Sequence, residues 1–126
     1  MLKILDFGTS EIRKKRIDLL EIVGTCGYMP PEVLKGKASY KSDIWSCGVI
    51  MCEMLTGKNP FQGRTEEDTF LNIYGKSVSF KSSVWEFISP QAKDLVNKML
   101  HKNPKYRYNA LDCINHYWFE FIDPLQ

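Results

Sequence analysis

Apolar and polar positions along the chain mark out four helices of different character, with one short extended run ahead of them. From Ile44 to Leu55 nine of twelve residues are apolar, and they fall on all sides of a helix rather than on one stripe. That pattern predicts a helix buried all round, at the centre of the core. Ser42 or Asp43 stands where an N-cap is needed, and Gly57 where a left-handed C-terminal cap would fall. A second helix is predicted over residues 66–74, with Thr65 and Asp68 spaced as an acidic capping box. Behind Ser89, residues 90–101 place Ala92, Leu95, Val96, Met99 and Leu100 on one face and Lys93, Asp94, Asn97 and Lys98 on the other. A last helix starts after Asn109, turns Leu111 and Ile114 inward, and ends near Trp118 and Phe119. Between these and the N-terminus, Pro30-Pro31 opens a short helical turn through Lys35, because proline at the first helical position gives up no hydrogen bond.

The front of the chain reads differently. Leu2–Leu5 is a short β-type run broken by Asp6-Phe7-Gly8, and a lone strand needs neighbours to satisfy its backbone. Residues 9–29 show neither period; they carry the basic run Arg13-Lys14-Lys15-Arg16, then Gly24 and Gly27, and read as a long loop. Loops of that length in a compact domain are usually functional. The expected fold class is therefore mainly α, with one or two short strands at the N-terminus.

Composition narrows the class. At 126 residues the chain holds one domain or part of one, and 44% hydrophobic with 25% charged residues excludes a disordered or fibrous polypeptide. A net charge of +2 gives no whole-chain argument for nucleic acid or an anionic membrane, so neither partner is expected. No apolar run reaches the roughly 18 residues of a spanning helix, and the N-terminus lacks a secretory pattern. Cys26, Cys47, Cys52 and Cys113 form no C-x-x-C pair and His101 and His116 lie apart, which disfavours zinc and suits reduced thiols in a cytoplasmic protein. The basic run leaves a nuclear address open, although a solvated loop face is the simpler reading.

Taken in order, the motifs are specific. Leu2-Lys3-Ile4-Leu5-Asp6-Phe7-Gly8 is followed by Gly24-Thr25-Cys26-Gly27-Tyr28-Met29-Pro30-Pro31-Glu32, then Ser42-Asp43-Ile44-Trp45-Ser46-Cys47-Gly48, and later Arg107. This string resembles the C-terminal lobe of eukaryotic protein kinases from the metal-binding motif onwards. Gly24-Thr25-x-x-Tyr28 is similar to the serine/threonine kinases. Lys93-Asp94-Leu95-Val96-x-Lys98-Met99-Leu100, with Asn103-Pro104 and Arg107, is similar to the calcium/calmodulin-dependent and calcium-dependent group. The sequence contains no EF-hand loop.

The resemblance implies a partial kinase domain over residues 1–126: a metal-binding strand and turn (1–8), an activation segment (9–32) and a helical lobe (33–126). It implies ATP and Mg²⁺ as cofactors of the complete kinase, with Asp6 as metal ligand and Asp6, Phe7 and Gly8 as the cofactor-binding turn. Gly24 and Thr25 would lie in the loop that receives the hydroxyl-bearing substrate residue; a turn without function is the plainer alternative for Thr25. Glu32 and Arg107 would form a buried ion pair tying the activation segment to the later helices. Asp43 would accept hydrogen bonds from the catalytic loop, or simply cap its helix.

Glu21 stands nine residues before Pro30, where many kinases carry an activating phosphothreonine, and supplies about one negative charge where phosphate supplies roughly 1.5–2. Glu53, on an otherwise apolar helix, reads either as a recogniser of a basic protein substrate or as half of an internal ion pair. Pro30 replaces the alanine usual in relatives, which a helix start tolerates. The family's Gly-rich loop, lysine strand and His-Arg-Asp loop belong upstream of Leu2, so the catalytic base is assigned to no residue of this chain, and the 126 residues alone are expected to be inactive. A non-catalytic kinase-like binding module is the alternative function, and a plain helical scaffold the third.

Overall fold

The computed structural model describes residues 26–121, with side chains as far as Phe119. The strand expected at Leu2–Leu5, and residues 9–25 of the long loop, lie outside that range. Among the described residues the fold is helical and contains no strand: a 3-10 turn at Cys26–Tyr28, then α1 (Pro31–Leu34), α2 (Ser42–Thr56), α3 (Glu66–Gly75), a second 3-10 turn at Ser83–Trp85, α4 (Pro90–Met99), α5 (Ala110–Ile114) and a closing 3-10 stretch at Tyr117–Phe121. The loop reading thus fails at its last residues. Cys26 and Met29 bury against Val33 in a small satellite core, and the turn between them closes with Met29 N–H donating to the Cys26 carbonyl at 3.0 Å.

The central helix differs from expectation in two ways. Neither Ser42 nor Asp43 caps it; Lys41 holds the cap position without a side-chain bond, and Ser42 is the first helical residue. Asp43 sits in the first turn, where its charge favours the positive end of the helix dipole. Nor is the helix buried all round. Trp45, Gly48, Val49 and Cys52 form a buried stripe, Ile44, Cys47, Ile50, Met51 and Leu55 are half-buried, and Met54 is 80% exposed. The reason is one-sided packing. Trp45, Val49 and Cys52 meet Phe61, Ile73, Trp85, Val96 and Leu100 in the main core, while the opposite flank finds only partial cover among the described residues. Gly57 closes the helix as expected, in the left-handed region at φ 80° with its N–H on the Glu53 carbonyl at 2.8 Å.

Gly48 sets the distance between α2 and α4. A Cβ there would stand 2.8 Å from Leu100 Cδ2 and 3.0 Å from Met99 Cβ, so a larger residue would have to push those side chains aside. The α4 helix keeps the expected face: Ala92, Leu95, Val96, Met99 and Leu100 are all buried, and Ser89 Oγ accepts from Ala92 N–H at 3.2 Å. Thr65 caps α3 by accepting from Asp68 N–H at 3.1 Å.

The last helix is the clearest departure. It stops at Ile114, and Leu111 and Ile114 are 67% and 66% exposed instead of inward. Five residues make too short a helix for an apolar face to orient it. Polar contacts decide instead: Asn109 and Asp112 form a reciprocal capping box, and buried His116 anchors the closing 3-10 stretch. Its Nε2 lies 2.7 Å from Asp94 Oδ2 on α4, its Nδ1 accepts the Trp118 N–H at 3.0 Å, and its ring stacks on Tyr117 with centroids 4.3 Å apart. Because Nδ1 is an acceptor, the proton of the neutral imidazole sits on Nε2 and is donated to Asp94.

Candidate functional site

The best-built polar feature joins residues 75 positions apart. Pro30, extended at φ −73° and ψ 161°, and Pro31 at the first helical position start α1, which places Glu32 in its first turn. Arg107 answers it with both terminal nitrogens: Nη1 to Oε2 at 2.6 Å and Nη2 to Oε1 at 2.8 Å. Both side chains are buried, and the two-point fork is the strong form of this pairing. The remaining hydrogen-bonding capacity is satisfied as well. Ser42 Oγ donates to Glu32 Oε2 at 2.9 Å, while Arg107 donates to the carbonyls of Lys41 at 2.9 Å and His101 at 2.8 Å. The guanidinium lies over the Trp45 ring, 5.2 Å from its centroid. This arrangement performs no chemistry itself; it fixes the N-terminal segment to the helical body.

Three further contacts hold the Cys26–Tyr28 turn. Ser46 Oγ donates to the Tyr28 carbonyl at 2.7 Å, Asn59 Nδ2 donates to the Gly27 carbonyl at 3.2 Å, and the Glu53 carboxylate acts on the Tyr28 phenol. Gly27 must stay a glycine for the Asn59 contact, since a Cβ there would stand 2.9 Å from Asn59 Nδ2. The Glu53 carboxylate and partial burial push the Tyr28 phenol up to about 12. Glu53 thus has the Tyr28 phenol beside it, a neutral group rather than the cation of an ion pair.

Because the folded pKa of Tyr28 exceeds its ordinary value of 10.0, its stabilising contribution is fully present below that value and is lost as pH rises through about 12. Denaturation midpoints measured across this window should fall further for the wild type than for Tyr28→Phe. Identical slopes would show that the Tyr28–Glu53 interaction carries no stability.

Sequence reasoning missed Ser42, Ser46 and Asn59 as anchors. Their only signal was polarity beside the apolar helix, which names no partner. Of the expected site residues, the structure brings together Glu32 with Arg107, and sets Glu53 beside the Tyr28 turn. Asp43 lies half-buried at the start of α2. Asp6, Phe7, Gly8, Glu21, Gly24, Thr25 and the basic run at 13–16 lie outside the described residues. Among the described residues no group of three or more His, Cys, Asp or Glu could hold a metal ion, and no helix is long and apolar enough to cross a membrane. The four cysteines are free, and burial pushes the thiols of Cys52 and Cys113 up to about 12 and about 11.

Residues 1–119 match the family model described as protein kinase domain. Calcium-dependent protein kinase 34 of Arabidopsis thaliana is 44% identical over 119 residues, covering 94% of this chain and 23% of that protein. Serine/threonine-protein kinase 17A of Oryctolagus cuniculus is 41% identical over 118 residues, covering 93% of this chain and 30% of its own length. The chain thus spans between a fifth and a third of such relatives. Among solved structures, the twitchin kinase region from C. elegans superposes with a TM-score of 0.72 at 32% identity, over 75% of this chain and 17% of that one. With its buried Glu32–Arg107 fork, its helical body and a family match across nearly its whole length, the chain belongs to the protein kinase domain family.

Proposed function

We propose that this chain is the substrate-docking, C-terminal lobe part of a protein serine/threonine kinase, a transferase that moves the terminal phosphate of ATP to protein hydroxyls. The observation that carries the reading is the Cys26–Leu34 segment, pinned by Ser46, Asn59 and Glu53 and clamped by the Glu32–Arg107 pair, in a chain matched by the kinase family over residues 1–119. Phosphoryl transfer is mostly positioning and charge neutralisation, so a segment that receives the acceptor residue must be rigidly seated.

In this reading Asp6 would hold Mg²⁺, which when bound would supply charge neutralisation for phosphoryl transfer. Thr25, next to the seated turn, meets the acceptor residue with Gly24. Glu53 keeps acceptor capacity beyond the Tyr28 hydroxyl, because a carboxylate offers roughly four lone-pair sites. It would read a basic substrate side chain. Glu21 supplies a fixed charge to the activation segment in place of a phosphate. The 126 residues contain no His-Arg-Asp tripeptide, and so offer no matched residue for the catalytic base.

Two measurements test this. A complete kinase domain containing these residues should transfer ³²P from labelled ATP to serine or threonine of a basic peptide. Asp6→Asn should lower that rate by about a hundredfold or more, since a metal contributes several kcal/mol of transition-state stabilisation. The purified 126-residue chain should show no turnover. An inactive complete domain would favour the non-catalytic docking module, and turnover by the 126 residues alone would overturn the assignment of the base elsewhere.

A further inference from the structure

A cavity of about 230 Å³ opens between the end of α2, the loop after it, and residues 76–85. Its floor is apolar, made by fully buried Cys52, nearly buried Trp85 and the half-buried Val78 and Val84. Its rim is of another kind. Lys58 and Lys76 line it with Ser77, Ser79 and Ser82, and no carboxylate does. Thr56 and Asn59 also border it, but their side chains are committed: Thr56 Oγ1 donates to the Cys52 carbonyl at 2.7 Å, and Asn59 bridges Gly27 and Phe61. The two ammonium groups and three serine hydroxyls, by contrast, have no hydrogen-bond partner within the protein among the described residues. Lys102 adds positive charge nearby. Its ammonium donates to the Ile73 carbonyl at 2.6 Å and to the Lys76 carbonyl, and it lies over the Trp45 and Phe61 rings.

Uncommitted donors of two kinds, at least two positive charges and an apolar floor in a space this small describe a receptor for an amphipathic anion. A carboxylate would leave much of that capacity unused; a phosphate monoester presents three strong acceptor oxygens and up to two negative charges. We propose that this cavity binds a small phosphate monoester, its head between Lys58 and Lys76 and its apolar body on Val78, Val84 and Trp85. The site meets the Cys26–Leu34 segment through Asn59, which donates to the Gly27 carbonyl, and the proposal stands whether or not the chain serves a kinase.

Phenyl phosphate is the probe, titrated into the full chain while following the amide resonances of residues 76–85 and, in parallel, the ³¹P linewidth. Saturable shifts confined to the cavity are expected, with affinity at least tenfold below wild type in K58A/K76A. Both lysines are exposed, so the variant should keep the wild-type melting temperature. Affinity should also fall with added salt, as surface charge is screened. Unchanged affinity in the double variant, or no saturation by phenyl phosphate at millimolar concentration, would overturn the site. Inorganic phosphate binding as tightly as phenyl phosphate would overturn the role of the apolar floor, and phenol binding equally well would overturn the role of the lysines.

Discussion

Arg107→Ala should lower the unfolding free energy by about 3–5 kcal/mol, because it strands the Glu32 carboxylate in the protein interior. Both partners are almost wholly shielded from water, so neither charge can be rescued by solvent without opening the structure. The loss goes beyond the fork itself, since the carbonyls of Lys41 and His101 also lose their donor and the Trp45 ring loses its cation. Arg107→Lys keeps the charge but cannot make two parallel bonds to the carboxylate, and should fall between wild type and alanine. Glu32→Gln should be nearly as damaging, since it leaves the guanidinium unpaired. The informative variant is the double one. If the two groups act on each other, Glu32→Gln with Arg107→Met should destabilise by clearly less than the sum of the single changes. Urea denaturation gives all the values, and hydrogen exchange shows where the structure opens: protection at residues 26–34 should be lost before that of α4. A loss below about 1 kcal/mol in Arg107→Ala, or strict additivity, would mean that the pair does not clamp the segment.

How much of this could be read from residues alone depended on the kind of interaction. The α4 helix was legible because its apolar residues make one stripe, and a stripe says which side faces inward. The α2 helix was not, although it is the most apolar element. When apolar residues occur on every side, the pattern cannot tell Trp45, Val49 and Cys52, which are buried, from Met54, which is exposed. Leu111 and Ile114 misled for the opposite reason. Two apolar residues three apart suggest a buried face, but over five residues the capping box and the His116–Asp94 contact outweigh them. Gly57 was legible because a left-handed cap is a local requirement that one residue satisfies.

The site divides along the same line. Glu32 and Arg107 are 75 residues apart, and no periodicity joins them; only the motif order pointed to the pair. Ser42, Ser46 and Asn59 stayed invisible because a hydroxyl or amide that bonds to a distant carbonyl looks, in sequence, like any solvated polar residue. Glu53 was expected to be ion-paired or to face a groove, since a carboxylate on an apolar helix is expensive, yet the group beside it, the Tyr28 phenol, emerged only from the fold.

The second large effect belongs to Trp45, which no solvent reaches. It stacks on Phe61 with ring centroids 5.1 Å apart and an interplanar angle of 18°, and carries Arg107 and Lys102 over its ring at 5.2 and 5.6 Å. Burial of the Lys102 ammonium lowers its pKa, so the ring face helps to replace lost water around that charge. Trp45→Ala should destabilise by about 3–5 kcal/mol from the cavity alone, and the two cations lose their shared aromatic partner as well. Trp45→Phe separates the contributions. The indole Nε1 has no hydrogen-bond partner among the described residues, and a buried unpaired donor costs about 1–3 kcal/mol. Phenylalanine removes that penalty and keeps a ring face for the cations, but leaves part of the indole volume empty. These terms oppose each other, so the phenylalanine variant should lose less than about half of what alanine loses. Equal losses in the two variants, measured by urea denaturation, would show that the full indole volume outweighs both the unpaired N–H and the stacked cations.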